Sequence, residues 1–369
     1  MRHGFSLIRI VLPVVSCVSL VAQMEPLYIG TYTNTAAQSR GIYSAHFDAN
    51  TGSLSDVSVA AETANPSFLA RHPYRPILYA VNEVPDGTVS SFAIGSKGEL
   101  KFLGKSPTGG AAPCHLIVDR SGKWLLVANY NGANIAVMPI LPDGKAGEPH
   151  VTPHNGSGPN PQQKEPHPHE IVEVAGNIIL VPDLGADRIA RYVLDSARGT
   201  LSPADPAGIR LPPGSGPRHL AASADGMKLY VLSELANTVT VFGQSNTGAA
   251  WSILQTIPLL LPQFEGRSTA AEIAMHPSGR YVYASNRGAD DIVVFAIDSA
   301  TGRLTRAGSA PTGATPRFFT IDPGGKWLLA AGQASNTVTV FAIDPAAGML
   351  KAQSNPAHVP APVFIGAGL

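Results

Sequence analysis

The chain has 369 residues, and its 26 Lys and Arg balance 26 Asp and Glu, so it has no net charge and no basic run that would mark a nucleic-acid partner. Its 32 prolines, 37 glycines and only 14% charged residues exclude a mainly helical protein and fit many short strands joined by turns. Cys17 in an apolar N-terminal run and Cys114 in the body cannot form a disulfide framework, so stability must come from packing.

Residues 1–9 carry Arg2 and Arg9, and residues 10–22 are an apolar run, the layout of a secretory signal peptide over 1–23. The run is too short for a transmembrane helix. Val-Val-Ser before Cys17 is a poor match to a lipoprotein pattern. The expectation is export, periplasmic or secreted; a translation start at Met24, just before Pro26, would instead leave the protein cytoplasmic.

From residue 28 one pattern returns seven times: a turn, an apolar strand, a polar turn and a second apolar strand. It is loose at YIGTYTNTAAQSRGIYSAHFD (28–48) and clear at HPYRPILYAVNEVPDGTVSSFAI (72–94) and DRSGKWLLVANYNGANIAVMPI (119–140). It continues at VAGNIILVPDLGADRIARYVL (174–194) and SADGMKLYVLSELANTVTVFG (223–243). The last two copies, HPSGRYVYASNRGADDIVVFAIDSATGRLT (276–305) and DPGGKWLLAAGQASNTVTVFAIDPAAGMLK (322–351), align without a gap. Ala45, Phe92, Met138, Tyr192, Phe242, Phe295 and Phe341 mark equivalent positions 46 to 54 residues apart, the length of a four-stranded blade with its loops.

One such unit buries too little on its own, so neighbours must stack around an axis. The sequence therefore predicts an all-β fold: one seven-bladed β-propeller of four-stranded antiparallel blades over 24–369. PVFIG (362–366) is the expected closing strand beside the N-terminal one, and 152–168, rich in Pro, Gly, His and Gln, reads as a long loop.

Within a blade the innermost strand and the next run antiparallel, so the start of one and the end of the other share a mouth of the channel. The first column reads Ser67, Cys114, His169, Arg218, Ala271 and Arg317, followed by Phe68, His115, Glu170, His219, Glu272 and Phe318. The second reads Tyr32, Glu83, Tyr130, Leu184, Glu234, Arg287 and Gln333. A repeat built for packing alone would keep similar residues in each column. Different ionisable groups in different blades point to one asymmetric site at this mouth.

The segments around these columns, YIGTYT (28–33), NPSFLA (65–70), EPHPHE (165–170), VPDLGADR (181–188), GPRHL (216–220), SEL (233–235), HPSGRYVYASNRG (276–288) and TPRFFTIDPGGKWLLAAGQ (315–333), resemble the lactonase family of seven-bladed propellers. That family includes one type of 6-phosphogluconolactonase and, more distantly, fungal carboxymuconate cycloisomerase. Carried over from the cycloisomerase, its His, Arg, Glu and Arg fall on His169, Arg218, Glu234 and Arg287, which the resemblance implies are catalytic. His115, His219, Arg317 and Gln333 join Arg218 and Arg287 as the expected substrate-binding set.

For His169, acid–base work competes with a metal pair through His167 and with a turn role. For Arg218 and Arg287, anion binding competes with structural bonds to loop carbonyls. Glu234 is a base, an orienter of His169, or an arginine partner. Cys114 reads as a buried small hydrophobe. Asp183 and Asp187 read as turn formers. A calcium site assembled from Glu83, Asn129, Asp183 and Glu234 is disfavoured by the two arginines, so no metal or cofactor is expected. The implied activity is hydrolysis of a sugar lactone, most nearly 6-phospho-D-glucono-1,5-lactone. A cycloisomerase acting on a dicarboxylate and a carbohydrate- or protein-binding propeller are the alternatives.

Overall fold

The computed structural model describes residues 26–244 and 250–366. The expected signal segment at 1–23 and its Cys17 lie outside them. Among the described residues, seven antiparallel sheets follow one another along the chain. Their innermost strands are Pro362–Gly366, Leu69–Arg71, Pro113–Val118, Val172–Val174, Pro217–Ala222, Thr269–Met275 and Pro316–Ile321, for blades 1 to 7 in order. The closing strand is as expected: Pro362–Gly366 pairs with Pro26–Thr31, so blade 1 is built from both ends of the chain. In blade 7 the outermost position is shared by Leu350–Ala352 and Ala357–His358, both paired with Thr337–Ile343. No helix among the described residues is long and apolar enough to cross a membrane.

The seven equivalent positions read from the sequence share one register. Ala45, Phe92, Met138, Tyr192, Phe242, Phe295 and Phe341 lie on the third strands, opposite Leu27, Leu78, Leu125, Ile179, Leu229, Val282 and Leu328. All seven are buried. The cores lie between blades rather than within them. Ile77, Tyr79 and Val81 of blade 2, for example, pack with Leu116, Leu125 and Val127 of blade 3. A flat sheet has two apolar faces to bury, and stacking around a ring covers both.

Among the described residues a repeated contact fixes one blade to the next at six of the seven junctions. An aromatic near the start of a second strand reaches the outer hairpin of the following blade and donates a hydrogen bond to a carbonyl there. The pairs are Tyr28 to Gly98 (2.8 Å), Tyr79 to Gly144 (3.0 Å), Trp124 to Ser196 (3.0 Å), Tyr230 to Gly302 (3.1 Å) and Tyr283 to Gly348 (2.8 Å). Trp327 to Ala49 (2.8 Å) closes the ring from blade 7 to blade 1. The indole lies over Gly52, where φ is 74° and a Cβ would come within 2.4 Å of the ring, so glycine is needed both for the turn and for the contact. The lone polar atom of each buried aromatic is thereby satisfied.

Candidate active site

The entries to the inner strands explain how so many polar side chains reach the axis. Asn65, Ala112, Gly216, Thr315 and Ala361 have φ of 40°, 48°, 61°, 56° and 40°, and each precedes a proline. Four of these are not glycine, a costly conformation that recurs where geometry serves a site. The strand pairing then slips by one residue at Cys114, Arg218 and Arg317, and across Ala271 and Glu272. Such bulges cancel the usual alternation. Arg218 and His219, adjacent in the chain, therefore both face the channel.

The result is a cavity of about 190 Å3 at one mouth, lined by Glu83, Cys114, Tyr130, His169, Glu234, Arg287 and Arg317. Six blades contribute to it. Larger hollows of about 560 and 640 Å3 open between blades 4 and 5 and between blades 1 and 2, each walled by only two blades. The mouth cavity is the one where ionisable groups converge.

Glu234 is its electrostatic centre. One carboxylate oxygen lies 2.8 Å from Nη2 of Arg287 and the other 3.1 Å from Nε of Arg218. Burial alone would raise this carboxyl, but Arg287, Arg218 and Arg317 outweigh it and hold Glu234 below the usual carboxylate range. The guanidiniums are pinned in turn: Arg287 donates to the Ala270 carbonyl at 3.0 Å, and Arg218 to that of Ala271. Burial, with Arg317 and Arg287 nearby, pulls Arg218 down to about 10.

Across the cavity the Tyr32 hydroxyl donates to Oε2 of Glu83 at 2.8 Å, and the Arg317 guanidinium lies over the Tyr32 ring at 5.2 Å. His169 stands edge-on to His219 at 5.1 Å and to Tyr130 at 5.4 Å between ring centres. Burial and then Arg218, His219, Arg317 and Arg287 push its imidazole well below the usual range, so the ring is neutral. Its Nδ1 is buried without a partner, leaving Nε2 as the nitrogen that meets the cavity. A buried unpaired acceptor is the smaller defect than a buried unpaired N–H, which puts the proton on Nε2.

The expected site residues therefore separate. His169, Glu234, Arg287 and Arg317 line the cavity together. Arg218 does not: at 3% exposure it braces Glu234 from beneath and reaches only a void of about 10 Å3 deeper in the channel. His219 also faces that void, bonded through Nδ1 to Glu272 at 2.9 and 3.1 Å. His115 lies in the same layer as His219, 5.7 Å from its ring and 4.0 Å from that of Phe68, and faces a hollow toward the opposite end of the inner strands. Gln333 stays at the rim, its backbone bonded to Thr315, and is not part of the lining. These four share the columns but not the cavity, because a column fixes a height only to within a residue.

Tyr130, which the sequence reading gave no role, and Glu83, which it considered only as a calcium donor, also line the cavity. Their membership of the second column was the available signal. His167 stacks on Tyr130 at 4.3 Å and its Nδ1 lies 3.0 Å from the Tyr130 carbonyl, a contact that positions both rings. Cys114 is buried, and burial pushes its thiol far up. Asp183 and Asp187 are turn-holding carboxylates: Asp183 accepts from the backbone of His167 and Ala186, Asp187 from that of Gly214 and Gly216. Of the four oxygen donors considered for calcium, Glu83 and Glu234 line the cavity, whereas Asp183 holds the His167 and Ala186 amides and Asn129 donates through Nδ2 to Asn134 and the Thr108 carbonyl.

Comparison with known proteins agrees with this architecture. Residues 26–366 match the family model described as lactonase, 7-bladed beta-propeller. A 6-phosphogluconolactonase of Bacillus subtilis is 33% identical over 304 residues, covering 80% of this chain and 84% of its own. One from Serratia proteamaculans is 32% identical, covering 69% and 73%. The structure of a periplasmic gluconolactonase from Pseudomonas aeruginosa superposes with a TM-score of 0.86 at 34% identity, covering 92% of this chain and 98% of that one. The chain belongs to the lactonase family of seven-bladed β-propellers.

Proposed function

We propose that the protein hydrolyses a sugar 1,5-lactone to the open-chain aldonate, with 6-phospho-D-glucono-1,5-lactone as the leading substrate. The observation that carries this reading is the Arg218–Glu234–Arg287 clamp at the wall of a small polar cavity. The substrate class is supported by relatives named 6-phosphogluconolactonase and gluconolactonase. At about 190 Å3 the space lies below the roughly 300–1,000 Å3 of pockets for drug-sized ligands and suits one sugar ring.

Attack of water on the lactone carbonyl places negative charge on the carbonyl oxygen, and a guanidinium already fixed at the wall stabilises it without reorganising. Arg287 lines the cavity and serves this role, held by Glu234. Arg218 acts through Glu234 and not on the substrate. Arg317, with no carboxylate or carbonyl bonded to it among the described residues, receives an anionic group of the substrate or the product carboxylate. The Nε2–H of His169 is a neutral donor to a reacting oxygen. Glu234, kept ionised by two cations, is a weak proton acceptor and a strong clamp.

An unphosphorylated lactone is the second reading, favoured by Arg2, Arg9 and the apolar run at 10–22, since an exported enzyme would rarely meet a sugar phosphate. Purified protein is mixed with 6-phosphoglucono-1,5-lactone, with glucono-1,5-lactone and with a carboxymuconate, following proton release and absorbance. Faster opening of either lactone than in buffer is the expected result. Turnover of the muconate alone would make the protein a cycloisomerase, and sugar binding without turnover a recognition module. The relative rates on the two lactones decide between these readings, and the mass of the mature N-terminus reports whether residues 1–23 are removed.

A further inference from the structure

We infer that Glu83 is the general base that activates water in this site, an inference that rests on the hydrolase reading. Two carboxylates face the cavity, and they are held in opposite ways. Glu234 has a guanidinium on each oxygen. Among the described residues the Glu83 carboxylate has a single hydrogen-bond partner, the Tyr32 hydroxyl on Oε2, and its Oε1 is left open. It is also the carboxylate that lines both the mouth cavity and the small void beneath it.

The placement of Glu83 is built rather than incidental. Asn65, buried and in the left-handed region at φ 40°, ties blade 1 to blade 2. Its side-chain oxygen accepts from the Thr33 amide at 2.8 Å, next to Tyr32, and its side-chain nitrogen donates to the Glu83 carbonyl at 3.1 Å. The Glu83 amide in turn donates to the Asn65 carbonyl at 3.0 Å. One residue thus sets both members of the Tyr32–Glu83 pair, the kind of supporting shell that fixes a reacting group. His169 is the other candidate acceptor. Its cavity-facing nitrogen carries the proton in the tautomer argued from its unpaired Nδ1, which makes it a donor.

The step balances without any further reactant. Oε1 of Glu83 takes a proton from water as the water oxygen bonds to the lactone carbonyl carbon, and the carbonyl π electrons move to its oxygen. As that oxygen's electrons return, the bond from carbon to the ring oxygen breaks, and Glu83 gives its proton to the ring oxygen. The products are the aldonic acid, which ionises in solution, and the carboxylate of Glu83 restored.

Glu83→Gln keeps an acceptor for Tyr32 and loses the base. With whichever lactone the wild-type protein opens, kcat should fall at least about a hundredfold while KM moves less than about threefold. Glu83→Ala should be equally slow and regain at least about tenfold with added formate, a rescue that Glu234→Ala should not show. A purely structural role for Glu83 would not be rescued by a free carboxylate. Glu83→Gln retaining more than half of wild-type kcat, or formate rescuing Glu234→Ala and not Glu83→Ala, overturns the assignment. Wild-type protein that opens no lactone overturns the hydrolase reading itself, a different result from an active enzyme indifferent to Glu83.

Discussion

Arg218 and His219 are neighbours in the chain and face the same channel, yet one belongs to a charged layer and the other to a neutral one. Around the axis beneath the mouth each blade contributes one residue: Phe364, Phe68, His115, Glu170, His219, Glu272 and Phe318, in blade order. The three phenylalanines pack with centres 4.4 to 5.6 Å apart and close one half of the channel. The other half holds two histidines and two glutamates. Burial keeps His115 and His219 well below the usual imidazole range, and it raises Glu170 well above its ordinary value and Glu272 to about 8. Burial thus favours the neutral form of both acids and both rings in this layer, and Glu272 meets Nδ1 of His219 as an acid beside a neutral ring. In the layer above, Glu234 meets two guanidiniums and stays ionised. A buried carboxyl beside cations keeps its charge, and one beside imidazoles that burial has already neutralised gives it up.

The same substitution in the two layers tests this contrast most severely. Glu234→Gln strips the counter-ion from the buried Arg218 and the half-buried Arg287 and should cost about 3 kcal/mol of stability. Glu272→Gln replaces a neutral acid by a neutral amide that can still donate to His219 and accept the Ile273 amide, now 3.0 Å from Glu272. It should cost less than about 1 kcal/mol at pH 7. Urea unfolding of both variants checks the difference. Equal costs would mean that the layers are not held in different charge states.

A smaller effect separates the arginines. Arg317→Ala removes the guanidinium that has no protein anion bonded to it, and a hydrogen bond to a charged group contributes about 1.5–3 kcal/mol. KM for the phosphorylated lactone should rise at least about tenfold, and KM for the neutral lactone much less, with kcat nearly unchanged in both. Steady-state rates with the two substrates measure this. A uniform rise would assign Arg317 to positioning the ring.

The legible and illegible parts of this molecule divide along the same line. Blade number, closure by 362–366 and the face that carries the site follow from period, alternation and turn residues, which act locally and repeat seven times. Which of two adjacent residues meets the substrate does not follow. Alternation alone sends Arg218 and His219 to opposite sides, and the bulge that brings both inward is set by the left-handed Gly216 and by pairing with the next strand. The partnership of Glu234 with Arg287 spans two blades, and that of Tyr32 with Glu83 crosses from blade 1 to blade 2. No spacing in the chain encodes those contacts, so the column placed Glu83 at the mouth without marking it as chemically distinct.

The smallest prediction is a change of slope. Glu272 rises from an ordinary value of 4.5 to about 8 in the folded protein, so between those values the folded state holds a proton that the unfolded chain has released. Stability then falls as pH rises through this window, because the folded state binds more protons, by up to about 1.4 kcal/mol per pH unit for one group. The histidines act in the opposite sense. His115, His169 and His219 stay neutral when folded and would take up protons when unfolded, so their contribution is present above about pH 6.5 and is lost as pH falls below it. From about pH 7 to 8 the unfolded histidines are largely deprotonated too, and the buried acids dominate. Wild-type stability should decline over that interval, and Glu272→Gln, which has no proton to lose, should decline less steeply. Its disadvantage at pH 6 should shrink or reverse by pH 8. Urea midpoints across the series measure this directly, and parallel curves would show that Glu272 is ionised in the folded protein and that the lower layer is charged like the upper one.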